Sequence, residues 1–246
     1  MNLLDNLEEK AARFRRAAGR PLVTLSYAQS LDGCIAARPG EPLALSCRES
    51  QIFTHRLRAA HQSILVGIGT ILADDPRLNV RLVEGRDPQP VVLDSHLRFP
   101  LHARLLQKGQ QPPWIFTTQN ADSQPWPALE QAGARLVCLP GDSAGRVSLP
   151  ALLAYLAAQG VDSLMVEGGA QVITSFLAAR LVDRVALTIS PLFLGGLSAV
   201  QAPARPIISP ASEPGSLFPR LKEWQSQRAG DDLLLWGVPG WEDRPL

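Results

Sequence analysis

Residues 65 to 81 have the types and order of a ligand-binding site. The segment, LVGIGTILADDPRLNVR, places two glycines, a threonine, two carboxylates and two arginines, of which Arg81 could bind a phosphate, directly after an apolar strand. Gly67 and Gly69 let the backbone turn sharply and come close to a ligand. Thr70 is predicted to open a short helix, whose unpaired N–H groups favour a bound anion. The segment therefore predicts a site for a charged ligand rather than a part of the core.

Asp74 and Asp75 carry the acidic chemistry of this segment, just before Pro76, which cannot continue the helix. A carboxyl group acts as a general acid near neutral pH when burial or a like-charged neighbour raises its pKa. Because adjacent side chains usually point apart, we interpret Asp74 as an acceptor that orients a ligand. A proton then comes from water or from the substrate itself.

A second strand, glycine turn and helix occurs at 166–170, which reads VEGGA. Such a turn brings backbone N–H groups and the positive end of a helix dipole close to a phosphate. Glu167 is predicted at the carboxyl end of a parallel strand, where open α/β sheets place their ligands. The chain has no GxGxxG motif and no Walker lysine here, so the turn alone does not identify the ligand.

The composition argues against several classes of function. The 246 residues carry a formal net charge of +1, whereas nucleic-acid-binding domains show a basic face. The three cysteines lack CxxC spacing and the four histidines lack metal or triad spacing, so we expect no metal site. No apolar run reaches membrane-spanning length, and the N-terminal MNLLDNLEEK is acidic where a signal peptide is basic. We therefore expect a cytoplasmic protein without a nucleic-acid or membrane partner.

The elements that must position these residues alternate between apolar strands and helical patterns, which indicates βα units and a largely parallel sheet. The last two predicted strands, 221–228 and 232–238, form an antiparallel hairpin around Ala229-Gly230. The predicted strands before them are 22–27, 63–66, 90–93, 114–117, 135–139, 163–166 and 184–189.

An amphipathic helix over residues 3–18 precedes the sheet, with Asp5 and Glu8 in capping-box spacing. We expect residues 1–19 to be a helical extension that packs on the body or on a second subunit, and residues 20–246 to form one domain. A helix at 48–61 has a second capping box, Ser46 to Glu49.

Six motifs together resemble one known family. They are SLDG at 30–33, LRA at 57–59, VGIGTILADDPRLNVR at 66–81, VLDS at 92–95, VEGGA at 166–170 and LVDRVALTISPLFLGG at 181–196. This set resembles the reductase domain of the bifunctional riboflavin-biosynthesis deaminase/reductase, the RibD C-terminal family, and its stand-alone pyrimidine reductase relatives. The resemblance implies a dihydrofolate-reductase-like, three-layer α/β fold with a mixed, mostly parallel sheet and a C-terminal antiparallel hairpin.

The resemblance also implies an activity and a set of site residues. The activity is hydride transfer from NADPH to C1′ of a ring-opened phosphoribosylamino pyrimidine, by a protein that works as a homodimer. The matching cofactor positions are Ala28, Thr70, Asp74, Ser95, Gly169, Ala170, Gln171, Val172, Ile173, Thr174 and Ser175. The matching substrate positions are Arg58, Leu78, Arg81 and Glu167, with Arg58 and Arg81 expected to converge on the substrate phosphate. Asp74 and Glu167 are the candidate catalytic carboxylates.

Some positions depart from the family pattern. Gly40-Glu41-Pro42-Leu43-Ala44 replaces a GES-x-W segment, and Ser26 stands where a lysine is expected. No HxE or PCxxC occurs, so deamination is expected to come from another protein. These departures leave the substrate open between the diamino and the deaminated pyrimidine. They also leave two alternatives, a same-fold reductase for another pyrimidine or pterin and a non-catalytic dinucleotide-binding protein.

Overall fold

A computed structural model describes residues 3–41, 43–201 and 219–241, and within them nine strands form one mixed sheet. Its order is β10-β11-β8-β1-β7-β3-β4-β5-β6. The strands are β1 (Leu22–Ser30), β2 (Cys34–Ala36), β3 (Ser63–Gly67), β4 (Gln89–Leu93), β5 (Trp114–Thr118), β6 (Arg135–Leu139), β7 (Ser163–Val166), β8 (Arg184–Ser190), β9 (Leu197–Ser198), β10 (Arg220–Ala229) and β11 (Asp232–Gly240). The helices are α1 (Leu7–Ala18), α2 (Arg48–Ala60), α3 (Ile68–Asp74), α4 (Trp126–Gln131), α5 (Leu149–Ala158) and α6 (Ala170–Ala178), with a short 3₁₀ helix at Arg104–Leu106.

The sheet is mostly parallel, as predicted. All neighbours from β8 to β6 pair in parallel, whereas β11 pairs antiparallel with both β8 and β10. The predicted C-terminal hairpin is confirmed. The structure adds a small antiparallel sheet of β2 and β9, which the sequence analysis missed because these strands have only 3 and 2 residues.

Helices pack on both faces of the sheet through apolar side chains, so the fold has three layers. On β3, Leu65 belongs to the core that contains α5 and α6, whereas Ile64 and Val66 belong to the core that contains α3 and α4. Two smaller clusters pack α1 and α2 against strands of the sheet. The alternation on β3 follows from the period of two in a strand, because successive side chains point to opposite faces. The predicted three-layer α/β fold is confirmed.

Both predicted capping boxes are wrong. Helix α1 begins at Leu7 after Asn6, whose φ of 53° places it in the left-handed region. Helix α2 begins at Arg48 after Cys47, one residue beyond the predicted cap. The backbone N–H of Cys47, the residue before α2, donates to the Asp232 carboxylate at the start of β11 over 2.8 Å.

Helix α1 packs on the body of the protein rather than standing apart from it. Leu7 and Ala11 are buried against Leu22 of β1, and Arg15 forms an ion pair with Asp162 just before β7. The division between residues 1–19 and 20–246 stays a prediction, and the contacts of α1 with the sheet form a small cluster of Leu7, Ala11 and Leu22. Among the described residues, no helix has the length and apolar character needed to cross a membrane.

Candidate active site

The two segments singled out in the sequence lie side by side at the carboxyl edge of the sheet. Strand β7 pairs with β3, and the backbone N–H of Glu167 donates to the Leu65 carbonyl over 2.9 Å. A Cβ built on Gly169 would lie 3.7 Å from the Thr70 hydroxyl oxygen. Residues about 100 positions apart in the chain therefore form one cleft wall, as expected for the carboxyl ends of adjacent parallel strands.

The glycines of the cleft have different roles from those predicted. A Cβ on Gly67 would lie 2.9 Å from Val172, and a Cβ on Gly168 would lie 2.5 Å from the same side chain. These two glycines thus let the start of α6 pack closely on the ends of β3 and β7, rather than providing an unusual backbone conformation. At Gly69, no described atom lies within 4 Å of an added Cβ, so a side chain at this position would extend into open space. Helix α3 begins at Ile68, not at Thr70 as predicted.

Helix α6 presents its first turn to the cleft. Its N-cap is Gly169, which has no side chain to cover the backbone N–H groups. Ala170 is 6% exposed, so it offers a ligand little besides its backbone. Ile173 is fully buried and its backbone N–H donates to the Gly169 carbonyl over 3.0 Å, so it packs the helix rather than contacting a ligand. Thr174 and Ser175 carry hydroxyls that accept hydrogen bonds from Gln201 and Arg146. The first turn of α6 can therefore bind an anion through its backbone.

Arg58 and Glu167, both predicted as substrate contacts, bind each other. The Arg58 Nε and Nη2 atoms donate to the two Glu167 carboxylate oxygens over 2.7 and 2.6 Å. The side chains are only 11% and 17% exposed. Burial works against the charged guanidinium, but Glu167 outweighs it and raises the pKa of Arg58 overall. Nη1 of Arg58 donates to the Asn79 carbonyl over 3.1 Å, which fixes the plane of the group.

A cationic cavity of about 390 Å³ opens beside this ion pair. Its lining residues are Arg58, Asp74, Pro76, Arg77, Leu78, Arg81 and Arg104. Burial lowers the pKa of Arg81, and repulsion from Arg58 and Arg77 acts in the same direction, which shows that these positive charges are close together. Four arginines and one carboxylate line the cavity, but Arg58 is paired with Glu167 and Arg104 with Asp75, so Arg77 and Arg81 supply most of the positive charge that favours an anion such as a phosphate. Arg58 and Arg81 line the same cavity, as expected.

The side chains of Asp74 and Asp75 have different surroundings, as the sequence suggested. Asp75 ends α3 with a φ of 40°, and its carboxylate accepts from the backbone N–H of Arg104 over 2.8 Å. Asp74 instead faces the cavity, where burial raises its pKa. Leu78 has a φ of 53° and is 2% exposed, so its side chain is part of the core and its backbone shapes the wall.

The remaining predicted cofactor residues lie away from the cavity. Ala28 is near the end of β1, paired with Thr188 of β8. Ser95 follows β4, its hydroxyl accepts from the Val147 N–H over 3.1 Å, and its carbonyl accepts from the Thr118 hydroxyl over 2.9 Å. Of the departures from the family pattern, Ser26 is 6% exposed and Pro42 lies outside the described residues.

Three further residues lie at the cavity or position it, and none of them was predicted from the sequence. Arg77 and Arg104 line the cavity, and only Arg77 had a signal, since it lies within the DDPRLNVR motif. His55 of α2 is 3% exposed, and its Nδ1 accepts from the Arg81 backbone N–H over 3.1 Å. Burial, with Arg58 and Arg81 nearby, lowers the pKa of His55 to about 4. The ring is therefore a neutral acceptor that positions Arg81.

Two buried histidines should make the protein less stable in mild acid. The pKa values of His55 and His61 are both about 4, chiefly because of burial, against about 6.5 in an unfolded chain. The unfolded state thus binds more protons between these values, so the free energy of unfolding should fall as pH drops from about 6.5 to 4. Urea denaturation at several pH values measures the slope. His61→Gln should make it shallower, and exposed His102→Gln should not; equal slopes in all three proteins would contradict the assignment.

Fold and site together define an α/β protein with a cationic cleft at the carboxyl edge of its parallel strands. The chain belongs to the RibD C-terminal domain family, whose model matches residues 21–235.

The chain is similar in sequence or structure to several named proteins of riboflavin biosynthesis. It is 39% identical over 198 residues to the 2,5-diamino-6-ribosylamino-4(3H)-pyrimidinone 5′-phosphate reductase of Debaryomyces hansenii, covering 74% of this chain and 79% of that protein. It is 33% identical to the riboflavin biosynthesis protein RibD of Bacillus amyloliquefaciens, covering 96% of this chain but only 62% of that protein. Among solved structures, the riboflavin biosynthesis reductase Rib7 of Saccharomyces cerevisiae has a TM-score of 0.66 at 28% identity, covering 90% of this chain and 91% of that one.

Proposed function

We propose that the protein is an NADPH-dependent reductase of riboflavin biosynthesis, which converts a phosphoribosylamino pyrimidine to its ribitylamino form. The observation that carries this proposal is the cationic cavity lined by Arg58 and Arg81, because Arg58 binds Glu167, the residue just before the glycine turn that leads into α6. One ligand phosphate and one dinucleotide can then lie side by side. Relatives at 39% and 38% identity are named as reductases of the diamino pyrimidine phosphate, so this compound is the first substrate to assay.

The cleft fits a dinucleotide. The backbone of α6 at its first turn offers donors for a pyrophosphate, Gly169 leaves space beside Thr70, and Gly69 faces open space. When bound, NADPH supplies the hydride that reduces C1′ of the open-chain imine. Thr70, Asp74 and the backbone at the first turn of α6 would hold this cofactor, and Ser95 at the end of β4 would add a further contact.

The protein residues then position the substrate. Arg58 and Arg81 hold its phosphate, and Glu167 fixes Arg58 through two charge-assisted hydrogen bonds. Asp74 acts as an orienting acceptor at the cavity wall, and the proton that completes the reduction goes to the imine nitrogen from water or from the substrate. Asp75 takes no part, since it binds Arg104.

Arg81→Ala should raise the Michaelis constant for the phosphorylated substrate about ten- to hundredfold, because one charge-assisted hydrogen bond to a phosphate contributes roughly 1.5 to 3 kcal/mol. The same substrate without its phosphate should be affected less than twofold. Steady-state NADPH oxidation with both compounds measures the difference. Arg86→Ala is a control on the same exposed loop, away from the cavity. Equal effects of Arg81→Ala on both compounds would refute the phosphate assignment.

The same assay separates the alternatives. A reductase for another pyrimidine or pterin would oxidise NADPH only with that compound, and a non-catalytic protein would bind NADPH without oxidising it.

We also propose a cytoplasmic homodimer. The exposed strand β10 at the edge of the sheet, where Trp224 is 58% exposed, supports a subunit contact, and sedimentation at micromolar concentration tests it.

A further inference from the structure

Arg77 lies on the wall of the cationic cavity, and the backbone that carries it is fixed. It stands between Pro76, whose ring limits φ, and Leu78, whose side chain is only 2% exposed in the core. Leu78 has a φ of 53°, so the chain turns directly after Arg77 and runs on to Arg81, which lines the same cavity. The side chain of Arg77 is exposed, so a ligand in the cavity can reach it.

Two of the other cavity arginines have their charge offset by a carboxylate. Arg58 donates to both Glu167 oxygens over 2.7 and 2.6 Å, and its Nη1 atom donates to a backbone carbonyl. The Arg104 Nε atom lies 3.5 Å from the Asp75 carboxylate. In contrast, no hydrogen bond or ion pair joins Arg77 to another described residue. Its full charge is therefore available to a ligand.

Arg81 is close to Arg77, and its own contact offsets no charge. The Arg81 Nη1 atom donates to the side-chain oxygen of Asn79 over 3.2 Å. Burial lowers the pKa of Arg81, and the positive charges of Arg58 and Arg77 lower it further. Two like charges at close range repel each other until an anion binds both. A phosphate monoester carries about 1.5 to 2 negative charges at pH 7, which matches these two arginines.

We propose that Arg77 is a further substrate-binding residue, which holds the substrate phosphate together with Arg81; this rests on the substrate of the proposed function. Asp74 lines the same cavity, so a phosphate bound there also meets a carboxylate, and a second uncompensated arginine offsets that repulsion. Three of the five N–H groups of Arg58 are already engaged. Arg58 therefore adds directed hydrogen bonds to the phosphate but little net charge, whereas Arg77 supplies both.

Arg77→Gln should raise the Michaelis constant for the phosphorylated pyrimidine about tenfold and leave the turnover number within twofold, because the lost contact is made equally in the ground state and the transition state. The same pyrimidine without its phosphate should be affected less than twofold. Arg77→Lys, which keeps the charge but not the fork of donors, should restore part of the difference. Because Arg77 is exposed, high salt should narrow the gap between the wild type and Arg77→Gln.

Binding of ribose 5-phosphate, measured by calorimetric titration, tests the site without the reaction. Arg77→Gln should weaken this binding about tenfold, while the dissociation constant for NADPH stays within twofold. Arg104→Gln is the matched comparison in the same cavity, and its effect should be less than roughly threefold because Arg104 is paired with Asp75. Arg86→Gln, on the exposed loop outside the cavity, should change neither dissociation constant.

Three results would overturn the inference: a change of less than twofold in ribose 5-phosphate binding by Arg77→Gln, an equal loss in Arg104→Gln, or a wild-type protein that does not bind ribose 5-phosphate. If the wild type reduces the pyrimidine while Arg77→Gln leaves its Michaelis constant unchanged, the reductase function stands and the role of Arg77 is wrong. If ribose 5-phosphate binding depends on Arg77 but no pyrimidine is reduced, the phosphate site stands and the proposed reaction is wrong.

Discussion

Glu167→Gln should abolish most of the activity and lower the free energy of unfolding by about 3 to 5 kcal/mol, the usual effect of removing one partner of a buried ion pair. The side chains of Arg58 and Glu167 are 11% and 17% exposed, so water compensates little for the lost charge. Arg58 would then remain buried without its carboxylate and would no longer be held at the cavity. Urea denaturation gives the stability, and steady-state kinetics of the folded protein give the activity.

Another ion pair serves as the control. Arg20 binds both oxygens of Asp183 over 2.7 and 2.8 Å, with side chains 23% and 18% exposed, and it lies at the opposite end of the strands. Asp183→Asn should therefore destabilise the protein to a similar extent while leaving the Michaelis constant of the folded fraction unchanged. A Glu167→Gln protein with wild-type stability would contradict the role of the pair. A double-mutant cycle with Arg58→Met isolates the interaction itself.

Gly168→Ala should disrupt the cleft, whereas Gly169→Ala should not. A Cβ on Gly168 would lie 2.5 and 2.6 Å from two atoms of Val172, so the start of α6 must move. We expect a loss of about 1 to 3 kcal/mol in stability and the loss of measurable NADPH binding. At Gly169 the nearest atom would be 3.7 Å away, an ordinary contact, so alanine should be tolerated. Thermal unfolding and NADPH titration of both variants test this contrast.

Gly169→Val extends the comparison to the ligand. Its added methyl groups would project towards Thr70 in the space assigned to the dinucleotide, so the fold should persist while NADPH binding weakens strongly. Unchanged NADPH affinity in a folded Gly169→Val protein would show that the dinucleotide lies elsewhere. Equal stabilities of Gly168→Ala and Gly169→Ala would show that contact with Val172 does not control the position of α6.

The parts of the fold that depend on short sequence patterns could be predicted. Strands β3, β4 and β7 are short apolar runs, and their burial on both faces explains why each was recognised. The two site segments could be expected to meet, because each follows a strand that ends at the same edge of a parallel sheet. The roles of Arg58 and Arg81 came from resemblance alone, since an arginine at a helix end is usually solvated.

The rest depends on contacts between distant parts of the chain. Cys47, the residue before α2, binds Asp232, which lies 185 residues away in the chain and which no capping rule includes. Likewise, Arg58 and Glu167 are 109 residues apart in the chain. Nothing in the sequence indicates that these two charged side chains are buried together. Arg104 carries no motif at all, and only the folded loop brings it to the cavity.

The strand order also has a consequence for how the chain is assembled during synthesis. Strand β1 is made before all the others but lies at the centre of the sheet, between β7 and β8. Its neighbours begin only at Ser163 and Arg184, so its backbone groups have no sheet partner while β3, β4, β5 and β6 can already pair in the order in which they are made. Such long-range pairing closes late because the ends of a long loop must first meet. The nascent protein therefore carries β1 without its sheet partners until β7 and β8 have been made, a state in which binding by a chaperone would protect it from aggregation.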